Sequence, residues 1–566
     1  MTAQIPGSRV AATNENWWRD AVIYQIYIRS FADGDGDGIG DLAGIRSKLP
    51  YLLDLGVDAV WITPWYPSPM ADGGYDVSDY RDIEKLFGDL DQAEAFIGEA
   101  HGHGIRVILD VVPNHTSDAH AWFVAAREKG IGAPERDLYW FRPAKADGSP
   151  PTNWPSMFGG PGWTQLPEDV AVLAQAGEGK HADYYLHLFA PEQPDLNWAN
   201  EDVHDDLEAT LRFWFDKGVD GFRIDVAHGL VKDGTLPDLP DTDESEFLSA
   251  DTSHEHPFWD QPGVHDIYRR WRKIAGSYAN SEQGKRIFVA EAWVRDPDRL
   301  AHYVRPDELH TTFNFAFLSC AWNADAFRDV IDEQIETLEV VGAPVTWVVS
   351  NHDVTRHRTR YGRAIGDERK GVGTVPTDLE LGLTRARAMV LFMLALPGSA
   401  YIYQGEELGL PEVEDLPEDM LADPTWFRTN HEHRGRDGCR VPIPWTTGGS
   451  SLGFGPDGST PWLPQPACFG KLSVEAQSTD PSSTLQLYKD ALAIRRERPE
   501  LGDGPMDWLG NDDTHVLEFS RSDEFVCVVN LGSTAATLPP HRTVLLASAD
   551  ITGDVLPANS SAWLEI

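Results

Sequence analysis

Short apolar runs alternate with amphipathic stretches along most of the chain, the pattern of buried strands between helices. One stretch, 203–218, begins with acidic residues and ends in Lys-Gly, as helices do. Eight strand-like runs, each followed by a helical stretch, predict an α/β fold built on a parallel (β/α)₈ TIM barrel. The runs cover residues 21–31, 58–64, 105–112, 221–226, 286–293, 311–318, 345–353 and 399–406.

The spacing of these runs predicts how the chain divides. The barrel is assigned to residues 1–115 and 189–501, with a long insertion at 405–481 after the eighth strand and a closing helix at 483–498. Residues 116–188 are rich in Trp, Gly and Pro and are interpreted as a lobe inserted after the third strand. Short alternating runs at 515–520, 525–530, 543–547 and 562–566 predict a C-terminal antiparallel β-sandwich domain over 502–566.

Composition narrows the classes of partner. The chain has 566 residues, 41% of them hydrophobic, and a formal net charge of −43. Because nucleic acids and anionic membranes are polyanions, this charge argues against both as partners. No apolar run reaches the roughly 18 residues of a membrane span, no signal peptide is visible, and the four cysteines are scattered. A cytoplasmic protein is expected, and its oligomeric state is left open.

Candidate chemistry lies at the ends of the predicted strands, where barrels place their active sites. Asp225, Glu291 and Asp353 each end a strand-like run. Arg223 shares a strand face with Asp225 and favours the ionised carboxylate, as a nucleophile requires. Repulsion from that charge is expected to raise the pKa of a neighbouring acid, which leaves a proton donor beside an ionised base. Such a pair is the apparatus that cleaves a glycosidic bond.

Several motifs make the same point. Four segments resemble the signature regions of the α-amylase family of glycoside hydrolases: DVVPNH (110–115), GFRIDVAH (221–228), VAEAW (289–293) and SNHD (350–353). QPDLNW (193–198) and YQGEELG (403–409) resemble two further family segments. GRDGCRVPIPW (435–445) is similar to a segment found in the branch that contains α-glucosidases and oligo-1,6-glucosidases. The resemblance implies the catalytic barrel, the inserted lobe and the C-terminal β domain.

The resemblance also implies roles for single residues. Asp225 matches the nucleophile, Glu291 the general acid/base, and Asp353 the acid that binds and distorts the sugar. A covalent glucosyl intermediate and retained anomeric configuration are expected, with the two catalytic carboxyls about 5–5.5 Å apart. The matching substrate-binding residues are Asp72, Tyr75, His115, Phe189, Gln193, Arg223, His352 and Arg440.

An ion pair between Asp72 and Arg440 is expected to close one end of the cleft. Only a terminal glucose at the non-reducing end would then enter, which predicts an exo-acting α-glucosidase of short oligosaccharides. Val226, next to the nucleophile, suits relatives that accept α-1,6 bonds, yet α-1,4 substrates are favoured overall. A glucosyl-transferring or isomerising enzyme, such as a trehalose synthase or a sucrose-using enzyme, is the second alternative. A non-enzymatic relative is disfavoured because all three acids are present.

A run of alternating aspartates and glycines follows the first predicted strand. It begins like an EF-hand loop, but Gly44 stands where the bidentate Glu belongs and no helix precedes it. The run instead resembles the metal loop of the oligo-1,6-glucosidase branch. The implied cofactor is a structural Ca²⁺ ion, with Mg²⁺ as the alternative, held by Asp33, Asp35, Asp37, Asp41 and the carbonyl of Ile39.

Overall fold

Eight parallel strands form the barrel in the computed structural model, which describes residues 16–174, 182–240, 256–281, 284–368, 370–511 and 513–566. The strands pair in the order β7-β8-β1-β2-β3-β4-β5-β6. A parallel bridge between Phe313 and Thr346 joins β6 to β7. The predicted barrel is confirmed. The strands are β1 (Val22–Ile26), β2 (Ala59–Ile62), β3 (Arg106–Val111), β4 (Gly221–Ile224), β5 (Ile287–Ala290), β6 (Thr311–Thr312), β7 (Thr346–Val348) and β8 (Ser399–Tyr403).

Alternation along each strand separates two cores. Ile23 and Trp61 belong to the cluster inside the barrel, whereas Val22 and Tyr24 belong to the larger cluster between strands and helices. All five residues of β1 are buried. Because both faces of each strand are covered, the strands appear in the sequence as almost continuous apolar runs.

Helices surround the barrel, and their ends follow capping rules. The helix predicted at 203–218 spans Glu201–Asp216 and is capped by Asn200, whose side chain accepts a hydrogen bond from the Asp202 amide. The helix predicted at 483–498 spans Thr484–Glu497. The other α-helices outside the lobe are Leu42–Ser47, Leu49–Leu55, Leu90–Gly102, Val264–Ser277, Pro297–His302, Phe315–Leu318, Ala324–Val341, His357–Tyr361, Leu379–Ala395, Pro424–Arg428 and Val474–Ser478, among the described residues. None of the helices in the described ranges combines the length and apolar content that a bilayer crossing needs.

The sixth predicted strand is only partly correct. Within 311–318, the strand covers Thr311–Thr312 and the rest turns into the helix Phe315–Leu318. Asn314 causes the change, because its side-chain oxygen accepts a hydrogen bond of 2.9 Å from the Phe317 amide and caps the helix. The alternating phenylalanines at 313, 315 and 317 suit a buried strand and a buried helical turn equally well.

The lobe after β3 carries its own small sheet and packs against the end of β4. Its three antiparallel strands are Phe141–Arg142, Trp163–Gln165 and the central Tyr184–Leu186, and its helices are Ala121–Lys129 and Pro167–Ala174. Trp154 and Trp163 of the lobe share an apolar cluster with Val226, the residue after Asp225. The lobe therefore covers the barrel end at which the candidate acids lie.

The C-terminal part is antiparallel, as predicted. Five strands pair in the order Asp507–Trp508, Val516–Ser522, Phe525–Asn530, Ser560–Glu565 and Thr543–Ala547. A second sheet pairs Ala536–Thr537 with Val555–Leu556. Leu556 packs with Val528 and Leu564 in one apolar cluster between the two sheets. Trp563 fixes this part to the barrel, since its indole donates to the carbonyl of Leu391 in the helix Leu379–Ala395.

Candidate active site

The three candidate catalytic acids meet at the carboxyl ends of β4, β5 and β7. Asp225 and Glu291 directly follow their strands, and both are less than 10% exposed. Arg223 of β4 joins them: one guanidinium nitrogen lies 2.5 Å from Asp225 Oδ1 and the other 3.5 Å from Glu291 Oε2. Asp353 lies in the loop after β7. The structure thus brings Arg223 and the two acids of the expected displacement chemistry into one group.

Burial sets the protonation of the first two acids. It raises the pKa of Asp225 to about 6, with Arg223 opposing the shift. It raises the pKa of Glu291 to about 8, and the charge of Asp225 adds to that effect. Near neutral pH, Asp225 is therefore ionised while Glu291 keeps its proton. One carboxylate is ready to attack and one acid is ready to donate.

Asp353 has the opposite environment. Its carboxylate lies 3.0 Å from Arg436 Nη1, 3.1 Å from Arg440 Nη2 and 3.3 Å from His352 Nε2. Burial favours the neutral acid, but these three groups together hold the pKa of Asp353 well below its ordinary value. Asp353 therefore stays negatively charged, which suits a group that accepts hydrogen bonds from sugar hydroxyls.

An aromatic wall lies beside the acids. Tyr75 stacks on His352 with ring centroids 5.2 Å apart and planes within 10°. The Tyr75 hydroxyl donates to Asp110 Oδ2 at 2.9 Å, and Arg223 bonds Asp110 at 3.0 Å. Gln25 Nε2 lies 2.6 Å from His352 Nδ1, which fixes the other side of that ring. Asp110 was absent from the predicted site, and it holds both Arg223 and Tyr75 in place.

The segment directly after the lobe supplies a second wall. Gln193 Nε2 lies 3.0 Å from His115 Nε2 and 3.3 Å from Asp72 Oδ2. The Phe189 ring lies 5.1 Å from the His115 ring. Burial lowers the pKa of His115 to about 4, so its imidazole is neutral near pH 7. The predicted residues His115, Phe189 and Gln193 therefore lie together, and Gln193 contacts Asp72.

The prediction that Asp72 pairs with Arg440 is wrong, because a different arginine, Arg436, pairs with Asp72. Arg436 Nη2 lies 2.6 Å from Asp72 Oδ1, and the same guanidinium bonds Asp353 and the buried Asp423. Arg440 instead donates to the carbonyl of His352 at 2.9 Å and to Asp353. The 3-10 turn Asp437–Cys439 separates the two arginines and directs them differently. The sequence offered one indication of this alternative, since Arg436 and Arg440 both lie in the segment 435–445.

A buried lysine and an indole complete the surroundings and were also missed. Lys232 Nζ lies 2.7 Å from Asp195 Oδ2 and 2.7 Å from Asn114 Oδ1, so it connects the segment after the lobe to the loops that follow β3 and β4. Trp293 Nε1 donates to Glu291 Oε1 at 2.7 Å. Lys232 lies seven residues after Asp225, and Trp293 ends the VAEAW motif, so proximity to the acids was the only signal.

The aspartate loop lies between β1 and the helix Leu42–Ser47. Carboxylate oxygens of Asp33, Asp35 and Asp37 lie within 4.8 Å of one another. Asp41 lies outside that group: its oxygens accept hydrogen bonds from the amides of Gly44 and Gly34, so it caps the helix. Ile39 donates its amide to Asp37 Oδ1 at 2.8 Å. The donor set of three clustered carboxylates suits a hard divalent cation.

Comparisons with known proteins agree with this geometry. The family model described as the catalytic domain of alpha amylase matches residues 25–504. A probable alpha-glucosidase of Rhizobium meliloti (strain 1021) is 35% identical, with 98% of this chain and 97% of that protein covered. An oligo-1,6-glucosidase of Parageobacillus thermoglucosidasius is 32% identical over 94% and 95% of the two chains. A solved alpha-glucosyl transfer enzyme, XgtA, is 34% identical with a TM-score of 0.82, covering 97% and 99%.

Proposed function

The chain belongs to the alpha-amylase family of glycoside hydrolases, and from this premise we propose that it is a retaining, exo-acting α-glucosidase. Its substrates would be short oligosaccharides, from which it releases the terminal non-reducing α-linked glucose. The observation that carries the proposal is the contact of Asp72 with Arg436 at 2.6 Å, beside the three acids. The relatives named alpha-glucosidase and oligo-1,6-glucosidase support the class of substrate.

In the first step, Asp225 attacks the anomeric carbon of the terminal glucose. The glycosidic C–O bond breaks as the bond between the anomeric carbon and the Asp225 carboxylate forms, and Glu291 gives its proton to the leaving oxygen. The Arg223 guanidinium, 2.5 Å from Asp225, orients the attacking oxygen. Asp353 stays ionised and binds the hydroxyls of the sugar that is being distorted. Glu291 ends this step as a carboxylate.

In the second step, water cleaves the glucosyl ester. Glu291 takes a proton from the water while the oxygen of that water bonds to the anomeric carbon and Asp225 leaves. Two inversions at one carbon return the α anomer. The site is then restored, with Asp225 ionised and Glu291 protonated.

The surroundings of Asp72 support the proposed exo mode. This carboxylate is 4% exposed and contacts Arg436 from the insertion after β8 and Gln193 from the segment that follows the lobe. Three distant segments therefore converge on one point beside the Tyr75 platform. A polysaccharide chain extending past this point would have to break a buried ion pair, which is expensive. A single glucose unit fits the proposal better than an open cleft.

Linkage and acceptor define the alternatives. We favour α-1,4 substrates of the maltose type, with an α-1,6-specific enzyme as the rival because Val226 adjoins the nucleophile. A glucosyl-transferring or isomerising enzyme is the other candidate, and the resemblance to the alpha-glucosyl transfer enzyme supports it. The same three acids serve all of these reactions, so the accepting molecule distinguishes them.

One experiment distinguishes these candidate reactions. Purified protein is incubated with maltose, isomaltose, sucrose and trehalose, and the products are identified by chromatography and the first-formed anomer by NMR. Glucose from maltose, with α-glucose formed first, is expected. Isomaltose as the better substrate would favour the rival linkage, and new disaccharides would favour transfer. Wild-type protein that cleaves none of the four sugars would refute the proposal, and Asp225→Asn serves as the inactive control.

We also propose that the aspartate loop binds a divalent cation, Ca²⁺ in preference to Mg²⁺, through Asp33, Asp35 and Asp37. Burial and the neighbouring Asp35 and Asp33 charges raise the pKa of Asp37, which marks a repulsion that a cation would relieve. Ca²⁺ accepts irregular oxygen cages more readily than Mg²⁺. When bound, the ion would brace the loop after β1, away from the reacting carboxyls.

A further inference from the structure

Trp293 has no part in the mechanism above, yet it touches the acid/base directly. Its indole N–H donates to Glu291 Oε1 at 2.7 Å. The indole ring stacks on Phe315, with centroids 4.0 Å apart and planes within 8°. Phe315 is buried and begins the helix Phe315–Leu318. The short helix that interrupts the sixth predicted strand therefore holds the indole in place beside Glu291.

Both oxygens of Glu291 accept hydrogen bonds from N–H groups. Oε2 accepts from the backbone amide of Val226 at 2.7 Å. Val226 has φ +47°, in the left-handed region that a β-branched residue rarely adopts, and such strain concentrates at functional sites. Two donors on opposite oxygens, one from the loop after β4 and one from the loop after β5, fix the plane of the carboxyl group.

We propose that Trp293 is a positioning residue for acid/base catalysis: its indole N–H holds the Glu291 carboxyl in the plane for proton transfer and stabilises the carboxylate left when the proton goes. The inference rests on the proposed function. In the first step the negative charge passes from Asp225 to Glu291 as the proton moves to the leaving oxygen. Since an N–H donor binds a carboxylate more strongly than a carboxylic acid, the indole contributes most at that moment.

The charges around Glu291 allow a clean test. Trp293 is uncharged, so replacing it removes one hydrogen bond and leaves the charge balance of the site unchanged. Loss of a donor to the carboxylate is expected to raise the pKa of Glu291. Among the described residues, five titratable or charged groups face Glu291. They are Arg223 in β4, Asp225 directly after β4, His228 and Asp353 in loops, and Tyr268 in the helix Val264–Ser277.

The test variant is Trp293→Phe, which keeps a ring against Phe315 and removes the N–H. Its kcat/KM is measured on the disaccharide that the wild type cleaves best and on p-nitrophenyl α-glucoside, whose leaving group needs little protonation. We expect a loss of about 10- to 100-fold on the disaccharide and less than about threefold on the aryl glucoside. The alkaline limb of the pH–rate profile should move upward. Trp322→Phe, which loses an indole bond to Asn559 instead, should leave both ratios unchanged.

The outcomes separate the two proposals. Equal losses on both substrates, with the alkaline limb in place, would mean that Trp293 only packs, and would overturn the inference. Wild-type protein inactive on both substrates would refute the proposed function instead. If Trp293→Phe does not fold, Phe315→Leu replaces it, since it frees the indole without removing the donor. The same difference between the two substrates, smaller in size, is then expected, and its absence counts against the inference.

Discussion

At the scale of single residues, Arg436 joins three carboxylates from three segments: Asp72, Asp353 and Asp423. Arg436→Met would leave Asp72 and Asp423 buried without their nearest cation. Removing one partner of a buried ion pair costs about 3–5 kcal/mol. We expect kcat/KM on the preferred disaccharide to fall at least about 100-fold and the melting temperature to drop.

The control for this prediction is Arg434→Met. Arg434 lies two residues away and donates to the carbonyl of Leu416, so it belongs to the same segment without touching the acids. Steady-state kinetics and thermal melting of both variants check the prediction. Equal effects of the two substitutions would contradict a specific role for Arg436 in closing the pocket.

The pH dependence of kcat/KM also belongs to single residues. The proposed mechanism requires Asp225 to be ionised and Glu291 to be protonated. It should therefore rise as Asp225 loses its proton near pH 6 and fall as Glu291 loses its own near pH 8. A bell-shaped profile with those two limbs is expected on the disaccharide. In Glu291→Gln, assayed on the aryl glucoside, the alkaline limb should vanish; a limb that persisted would assign that titration to another group.

At the scale of elements, the aspartate loop links β1 to the helix Leu42–Ser47. Any ligand that binds only the folded state stabilises it by mass action. Chelation by EDTA is therefore expected to lower the melting temperature by about 2–5 °C, and added Ca²⁺ should restore it. Scanning calorimetry with metal analysis of the purified protein checks this.

Two variants sharpen the metal experiment. Asp35→Asn should make the melting temperature insensitive to EDTA, because it removes one of the three clustered carboxylates. Asp523→Asn, at an exposed turn of the C-terminal sheet, should respond to EDTA like the wild type. A wild-type melting curve that EDTA leaves unchanged, in protein that contains no metal, would contradict the proposed cation site.

Elements were predictable where burial alone determines them. Strands such as β1 are buried on both faces, so an apolar run marks where they lie. The run does not mark their ends, because residues 21–31 were predicted and the strand covers Val22–Ile26. Contacts between loops depend on packing that no local pattern records. Asp72 and Arg436 are 364 residues apart, and a 3-10 turn decides which of two arginines reaches the carboxylate. The strand-to-helix change after Thr312 depends on one capping asparagine in an aromatic run that suits both structures.

At the scale of the whole molecule, the net charge of −43 exceeds what the sites explain. The three candidate catalytic acids, the other acids of the proposed pocket and the proposed cation loop account for few of the 90 acidic residues. Excess like charge destabilises the compact state through self-repulsion, and salt screens it over about 10 Å at 0.1 M. A neutral sugar, by contrast, is not steered by the field of the protein. Stability and catalysis should therefore respond differently to salt.

We expect the melting temperature to rise when NaCl increases from about 10 to about 300 mM in buffer that keeps the cation loop saturated with Ca²⁺. The value of kcat/KM on the neutral disaccharide should change by less than about twofold over the same range. KCl should reproduce the NaCl curve, because screening depends on ionic strength rather than on the identity of the ion.

A melting temperature that stays flat or falls would mean that the surface acids are already neutralised, for instance by tightly bound cations, and that repulsion does not limit stability. A large salt effect on kcat/KM would instead indicate that dissolved ions screen the charges at the pocket, namely those of Arg436 and its three carboxylate partners.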